Sequence, residues 1–179
     1  MLNIENTILI AIDFQEKLMQ VMHQKEKLVE NTRKLLRGLQ VLEVPVIFTE
    51  QNPRGLGLTH NEISAVFSDF RPLPKLSFSC CGDREIMKEI GSSGRNQFLV
   101  AGIEAHVCVY QTAVDLLRLG YEVQVVVDCI SSRSPENLAI AVERLKSEGI
   151  KITGTEMVLF ELLRKAEGTK FKEISRIVK

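Results

Sequence analysis

The chain has 179 residues, 45% of them hydrophobic, and its 23 Lys and Arg balance 23 Asp and Glu to a formal net charge of zero. That length and apolar content suit a single domain over residues 1–179 with a sizeable core, whereas the balanced charge argues against a nucleic-acid binder, which carries a basic stripe or excess. No apolar run approaches the roughly 20 residues of a membrane helix and no secretory leader pattern opens the sequence, so a cytoplasmic protein without membrane or nucleic-acid partners is expected.

Apolar runs of strand length alternate with helical periodicity, the pattern of βαβ units and a parallel sheet. Residues 7–12 read as the first strand, with an unbroken Ile-Leu-Ile-Ala-Ile core suited to burial on both faces. A helix follows at 25–42 and a strand at 44–49. Residues 51–82 carry Pro53, Gly55, Gly57, Pro72 and Pro74 with little periodicity beyond 62–67, so a long functional loop is expected there. The pattern then resumes with a helix at 83–90, a strand at 97–101, a helix at 106–119 and a strand at 121–127. Ser134 can cap a helix at 135–148 with Pro135 in its first turn, and Gly120 and Gly149 fall just past helix ends. A strand at 150–153 and helices at 156–165 and 171–178 complete the reading. The expected fold is a three-layer, Rossmann-like α/β domain: an open parallel sheet of five or six strands with helices on both faces.

Ligands of open α/β sheets bind beyond the carboxyl ends of the strands. The polar residues expected there are Asp13, Glu50, the 104–108 turn, Asp128 and Thr155. Cys108 follows a strand and a tight turn at the start of a helix, where unpaired N–H groups would favour a thiolate and cradle an oxyanion. The plainer alternative is a small buried apolar residue. Asp13 directly follows a buried strand, so its carboxylate needs a partner. Asp128 reads as a cap or turn residue. The four cysteines, at 80, 81, 108 and 129, form no disulfide framework and read as reduced thiols. Gly55 and Gly57 make no dinucleotide fingerprint and no Walker motif is present, so no cofactor is expected. Tyr110, Ala113, Val114 and Leu117 repeat at helical spacing as a core or subunit face. His106 is expected to face solvent or a subunit contact. Phe14, Leu56, Phe78 and Ile130 are candidates for an apolar pocket, and Arg133 for an anionic substrate group.

Ile10-Ala11-Ile12-Asp13-Phe14-Gln15, Pro74-Lys75-Leu76-Ser77-Phe78 and Gly102-Ile103-Glu104-Ala105-His106-Val107-Cys108 resemble the isochorismatase-like cysteine hydrolases. The resemblance continues through Gln111-Thr112-Ala113, Gly120-Tyr121-Glu122-Val123 and Val127-Asp128-Cys129-Ile130-Ser131-Ser132-Arg133, almost the full chain. It implies Cys108 as nucleophile, Asp13 as general base, Lys75 as the cation holding that carboxylate, and the backbone N–H groups of Glu104 and Cys108 as oxyanion hole. It further implies a cis peptide bond between Ile103 and Glu104, and often a homo-oligomer. The role of Lys75 comes from this match alone. One departure narrows the expectation. The nicotinamidase branch binds a metal through an Asp-x-His pair after its second strand, where this chain has Glu50-Gln51-Asn52. Of three histidines, at 23, 60 and 106, His60 alone could ligate from the long loop. No catalytic metal is expected. The resemblance thus points to a metal-free hydrolase of a small amide or carbamoyl substrate. Two other readings stand beside it: a redox protein with Cys129 as resolving thiol, and a non-catalytic interaction module on the same fold.

Overall fold

The computed structural model describes residues 1–179. Six strands form one parallel sheet: β1 (Thr7–Ile12), β2 (Val46–Gln51), β3 (Leu73–Lys75), β4 (Gln97–Ile103), β5 (Glu122–Ser131) and β6 (Lys151–Thr153), in the order β3-β2-β1-β4-β5-β6. The helices are α1 (Glu16–Met19), α2 (Lys25–Val41), α3 (Pro53–Leu56), α4 (Asn61–Ser64), α5 (Arg84–Ser92), α6 (Tyr110–Arg118), α7 (Pro135–Ser147), α8 (Thr155–Leu163) and α9 (Gly168–Val178). A 3-10 turn at Cys80–Gly82 and a π turn at Ala105–Val109 complete the chain.

The central strands are apolar on both faces because each face carries its own core. Every residue of β1 and β4 is buried, as a parallel sheet covered on both sides requires. Leu9, Ala11, Leu99 and Ala101 pack on one side with Leu35, Leu36 and Leu39 of α2, Leu159 of α8 and Ile174 of α9. Ile8, Ile10, Phe98 and Val100 pack on the other with Ile86 of α5, Ala113 and Leu116 of α6 and Leu145 of α7. The period-two alternation of strand side chains divides neighbours between the two cores. Ser134 caps α7 by accepting from the Asn137 N–H, as read from sequence.

The boundaries differ from expectation chiefly near the strand ends. The expected strand at 121–127 runs on to Ser131, because a register shift against β4 between Val100 and Gly102 lets β5 re-pair at Ile130 and Ser131. The loop at 51–82 contains α3, α4 and the sixth strand, β3, which pairs with β2 through Thr49, Glu50 and Gln51. Pro72 before it and Pro74 within it left little β signal in the sequence, but an edge strand tolerates a missing donor.

Candidate active site

The sheet order reverses its winding between β1 and β4, and the carboxyl ends of these strands flank the crevice where such sheets bind ligands. Asp13 immediately follows β1 with a φ of 53°, a left-handed conformation that aspartate tolerates better than most residues. Both of its carboxylate oxygens are engaged: Thr49 Oγ1 donates to Oδ1 at 2.7 Å and Lys75 Nζ donates to Oδ2 at 2.6 Å. Lys75 arrives on β3, and the side chains of the pair are both 0% exposed. The ammonium also donates to Gln51 Oε1 at 2.7 Å and to the carbonyl oxygens of Ser77 and Phe78 at 3.2 Å each. Burial of two charges is tolerated here because every proton of the ammonium has an acceptor.

Cys108 lies four residues into the helical run, inside the π turn that joins β4 to α6. It is buried and shares a core with Cys80. The expectation of a thiol ionised at an open helix N-terminus is therefore corrected. Burial pushes Cys108 up to about 12; the Lys75 ammonium pulls it down, while the Asp13 charge and hydrogen bond and the Cys80 thiol push it up. Burial thus works against a thiolate at Cys108, and Asp13 and Lys75 act on the thiol in opposite senses. At the head of the same turn the Ile103–Glu104 peptide bond is cis, and no acceptor within the chain takes the Glu104 N–H.

Asp13, Lys75 and Cys108 thus come together from three separate segments, whereas the other candidate residues take different places. Arg133 is exposed, and its Nε donates to Glu104 Oε2 at 3.0 Å. His106, expected to face solvent or a subunit, is half-buried with Nδ1 2.9 Å from Ser132 Oγ. Phe14 is a core residue, 1% exposed, packed among apolar side chains on the α2 side of the sheet. Phe78 is exposed, and it is its carbonyl that meets Lys75. Leu56 is half-buried at the end of α3. Ile130 is buried in the core that also holds Cys108 and lines a cavity of about 120 Å³ with His23, Lys27 and Asp128. Cys129 is on the opposite face of the sheet from Cys108, with its Sγ 3.1 Å from Thr155 Oγ1. It is therefore no resolving thiol for Cys108; the cysteine that shares its core is Cys80. His60 accepts from the Glu62 N–H and so caps α4.

Asp128 is a cap, but of a helix 27 residues further on. Its Oδ1 accepts from the Thr155 N–H at 2.9 Å and from Thr155 Oγ1 at 3.1 Å, closing the start of α8 where Gly154 brings no side chain. Asp128→Ala should lower stability by about 1 to 2 kcal/mol and leave the reactivity of Cys108 unchanged, checked by urea denaturation beside thiol alkylation. A loss of reactivity without a loss of stability would return Asp128 to the site.

Gln51, Thr49 and Gln15 escaped the sequence reading. Thr49 and Gln51 share one face of β2 by alternation, and Gln51 is opposite Lys75 in the strand register, so the signal existed once β2 and β3 were known to pair. Gln15 is wholly buried: its Oε1 accepts from the Gln51 N–H at 2.7 Å while its Nε2 donates to the Gln51 and Gly57 carbonyls.

Residues 7–157 match the family model for the isochorismatase domain. The chain belongs to the isochorismatase family. Isochorismatase domain-containing protein 2 of Danio rerio is 36% identical over 179 residues, covering 99% of this chain and 89% of the relative. The structure titled MAR1 ribonuclease from Caenorhabditis elegans superposes with a TM-score of 0.92 at 32% identity, covering 99% of this chain and 91% of that one. The YcaC gene product of Escherichia coli, described as an octameric hydrolase of unknown specificity, has the same fold at a TM-score of 0.92 and 20% identity, covering 98% and 89%. The isochorismatase fold thus extends over nearly the whole chain, and the switch-point crevice of this family member holds the Asp13, Lys75 and Cys108 group. No helix is long and apolar enough to cross a membrane.

Proposed function

We propose that the protein is a cysteine hydrolase that cleaves the C–N bond of a small amide or carbamoyl substrate. The observation that carries this reading is the fully buried Asp13–Lys75 ion pair beside the Cys108 thiol at the switch point of the sheet. A buried charge pair is weak evidence for stability alone, and a base next to a neutral thiol is the arrangement nucleophilic catalysis needs.

Cys108 Sγ attacks the substrate carbonyl carbon while its proton passes to Asp13, so no free thiolate has to accumulate in a site where burial opposes it. The N–H groups of Glu104 and Cys108 receive the oxyanion. Collapse breaks the C–N bond, Asp13 returns the proton to the departing nitrogen, and a thioester remains. Water then gives a proton to Asp13 and its oxygen to the acyl carbon, and Cys108 regains the proton as the acid leaves. Lys75 holds the Asp13 carboxylate in place through the 2.6 Å ion pair, a charge supplied by the chain itself, and the steps as written draw on no metal or cofactor. The same reading takes residues 1–179 as one domain and the assembly as a homo-oligomer, in line with the octamer described for the E. coli neighbour. Four unpaired cysteines fit a reducing, cytoplasmic setting.

RNA cleavage is the competing reading, because the C. elegans neighbour is titled a ribonuclease. The zero net charge favours a small molecule.

The test combines a panel of small amides and carbamoyl compounds, a single-stranded RNA, and alkylation by iodoacetamide followed by peptide mass spectrometry. Cys108→Ala should abolish turnover. Asp13→Asn should reduce it about 10²–10⁴-fold, the usual contribution of a positioned base. The same substitution removes two influences that raise the thiol, so Cys108 alkylation at pH 8 should become about threefold faster or more. Opposite movement of the two readouts is the signature of a base. Retained turnover in Cys108→Ala, or cleavage of RNA with no amide hydrolysed, overturns the proposal.

A further inference from the structure

We propose that Gln51 is a positioning residue of this site: its amide oxygen holds the Lys75 ammonium against Asp13, and its neutrality keeps a single carboxylate on that ammonium. The inference goes deeper into the hydrolase reading and rests on it for the role of Asp13.

The amide can be oriented in only one way. Nε2 donates to the Leu76 carbonyl at 2.8 Å and Oε1 accepts from Lys75 Nζ at 2.7 Å; the flipped amide would set a donor against an ammonium and an acceptor against a carbonyl. The backbone of Gln51 is clamped independently of its side chain. Its N–H donates to Gln15 Oε1, its carbonyl accepts from Gln15 Nε2, and the next N–H, of Asn52, donates to the Lys75 carbonyl at 2.9 Å. The pairing of β2 with β3 thus has backbone bonds of its own, and the side chain adds contacts to the lysine and to the residue after it.

Charge is the second half of the case. The groups acting on Cys108 are Asp13 at the end of β1, Lys75 on β3 and Cys80 in the 3-10 turn. Glu50, the next carboxylate along β2, is engaged by Thr59, whose N–H and Oγ1 both donate to its Oε1. A glutamate at position 51 would add a second carboxylate to one ammonium, divide Lys75 between two anions and place a further negative charge near the thiol. A methionine there would remove the acceptor and leave the charge count unchanged.

Gln51→Glu and Gln51→Met are therefore compared with wild type by the pH dependence of Cys108 alkylation with iodoacetamide, using Cys81 in the same sample as reference, and by turnover where a substrate is in hand. The Glu variant should shift the Cys108 profile to higher pH and slow labelling at pH 8.5 about threefold or more, while the Met variant keeps the wild-type profile and loses turnover. Coincidence of the Glu profile with wild type overturns the inference. So does equal movement of both variants, which is what a purely structural side chain would give. Retained turnover in Asp13→Asn would instead sink the hydrolase reading and leave the labelling comparison to decide Gln51 by itself.

Discussion

Lys75→Met should destabilise the protein by about 3 to 5 kcal/mol at neutral pH, the usual cost of removing one partner from a buried ion pair. Asp13 would keep the Thr49 hydroxyl as its hydrogen-bond donor and lose the only cation in contact with it. Urea denaturation at pH 7 checks this. The double variant Asp13→Asn with Lys75→Met should recover most of the stability and none of the turnover, because it removes the uncompensated charge together with the proposed base. A loss below about 1 kcal/mol for the single variant at pH 7 would mean that water reaches the pair and that it behaves as a surface salt bridge.

The second large effect is expected one residue pair away, at Gly102. This residue has a φ of +137° within β4, and a Cβ added to it would sit 2.2 Å from the Ile12 carbonyl oxygen and 2.6 Å from the Ile12 Cβ. Gly102→Ala combines overpacking with backbone strain, each about 1 to 3 kcal/mol, for a total of roughly 2 to 6 kcal/mol. Ile12 is opposite Gly102 in the register between β1 and β4 and directly precedes Asp13. The strand end that must give way is the one that carries Asp13. The variant should therefore lose turnover even under conditions where it remains folded, read well below its melting temperature with a substrate that the wild type cleaves. Wild-type stability in Gly102→Ala would show that the two strand ends separate easily and that their close approach is not required.

Much of the fold was legible because parallel strands buried on both faces leave a strong apolar record. Ile8 to Ile12 and Phe98 to Ala101 are read correctly without any knowledge of their partners. Residues 73–75 were not assigned to a strand, since three residues including a proline carry no periodicity and are defined by pairing with β2. Asp128 was correctly read as a cap, but its helix is reached only after the chain has crossed the sheet edge. The contacts of Arg133 and His106 were not legible for the same reason: an arginine or histidine in a sequence carries no sign of the glutamate or serine beside it in the fold.

Local pattern by itself determined the longer elements, the strands destined for the interior and the placing of Asp13 and Cys108 at strand ends; family resemblance supplied the importance of Lys75. Only the tertiary structure decided the state of the site. Whether a cysteine after a strand is a thiolate or a thiol depends on how completely water is excluded and which charges replace it, and here burial raises Cys108 while Asp13 and Lys75 act in opposite senses. Those are sums over groups 33 to 95 residues distant along the chain, gathered by the reversal of sheet order between β1 and β4. Secondary-structure periodicity is local and can be read from sequence, whereas electrostatic environment is a property of the folded arrangement.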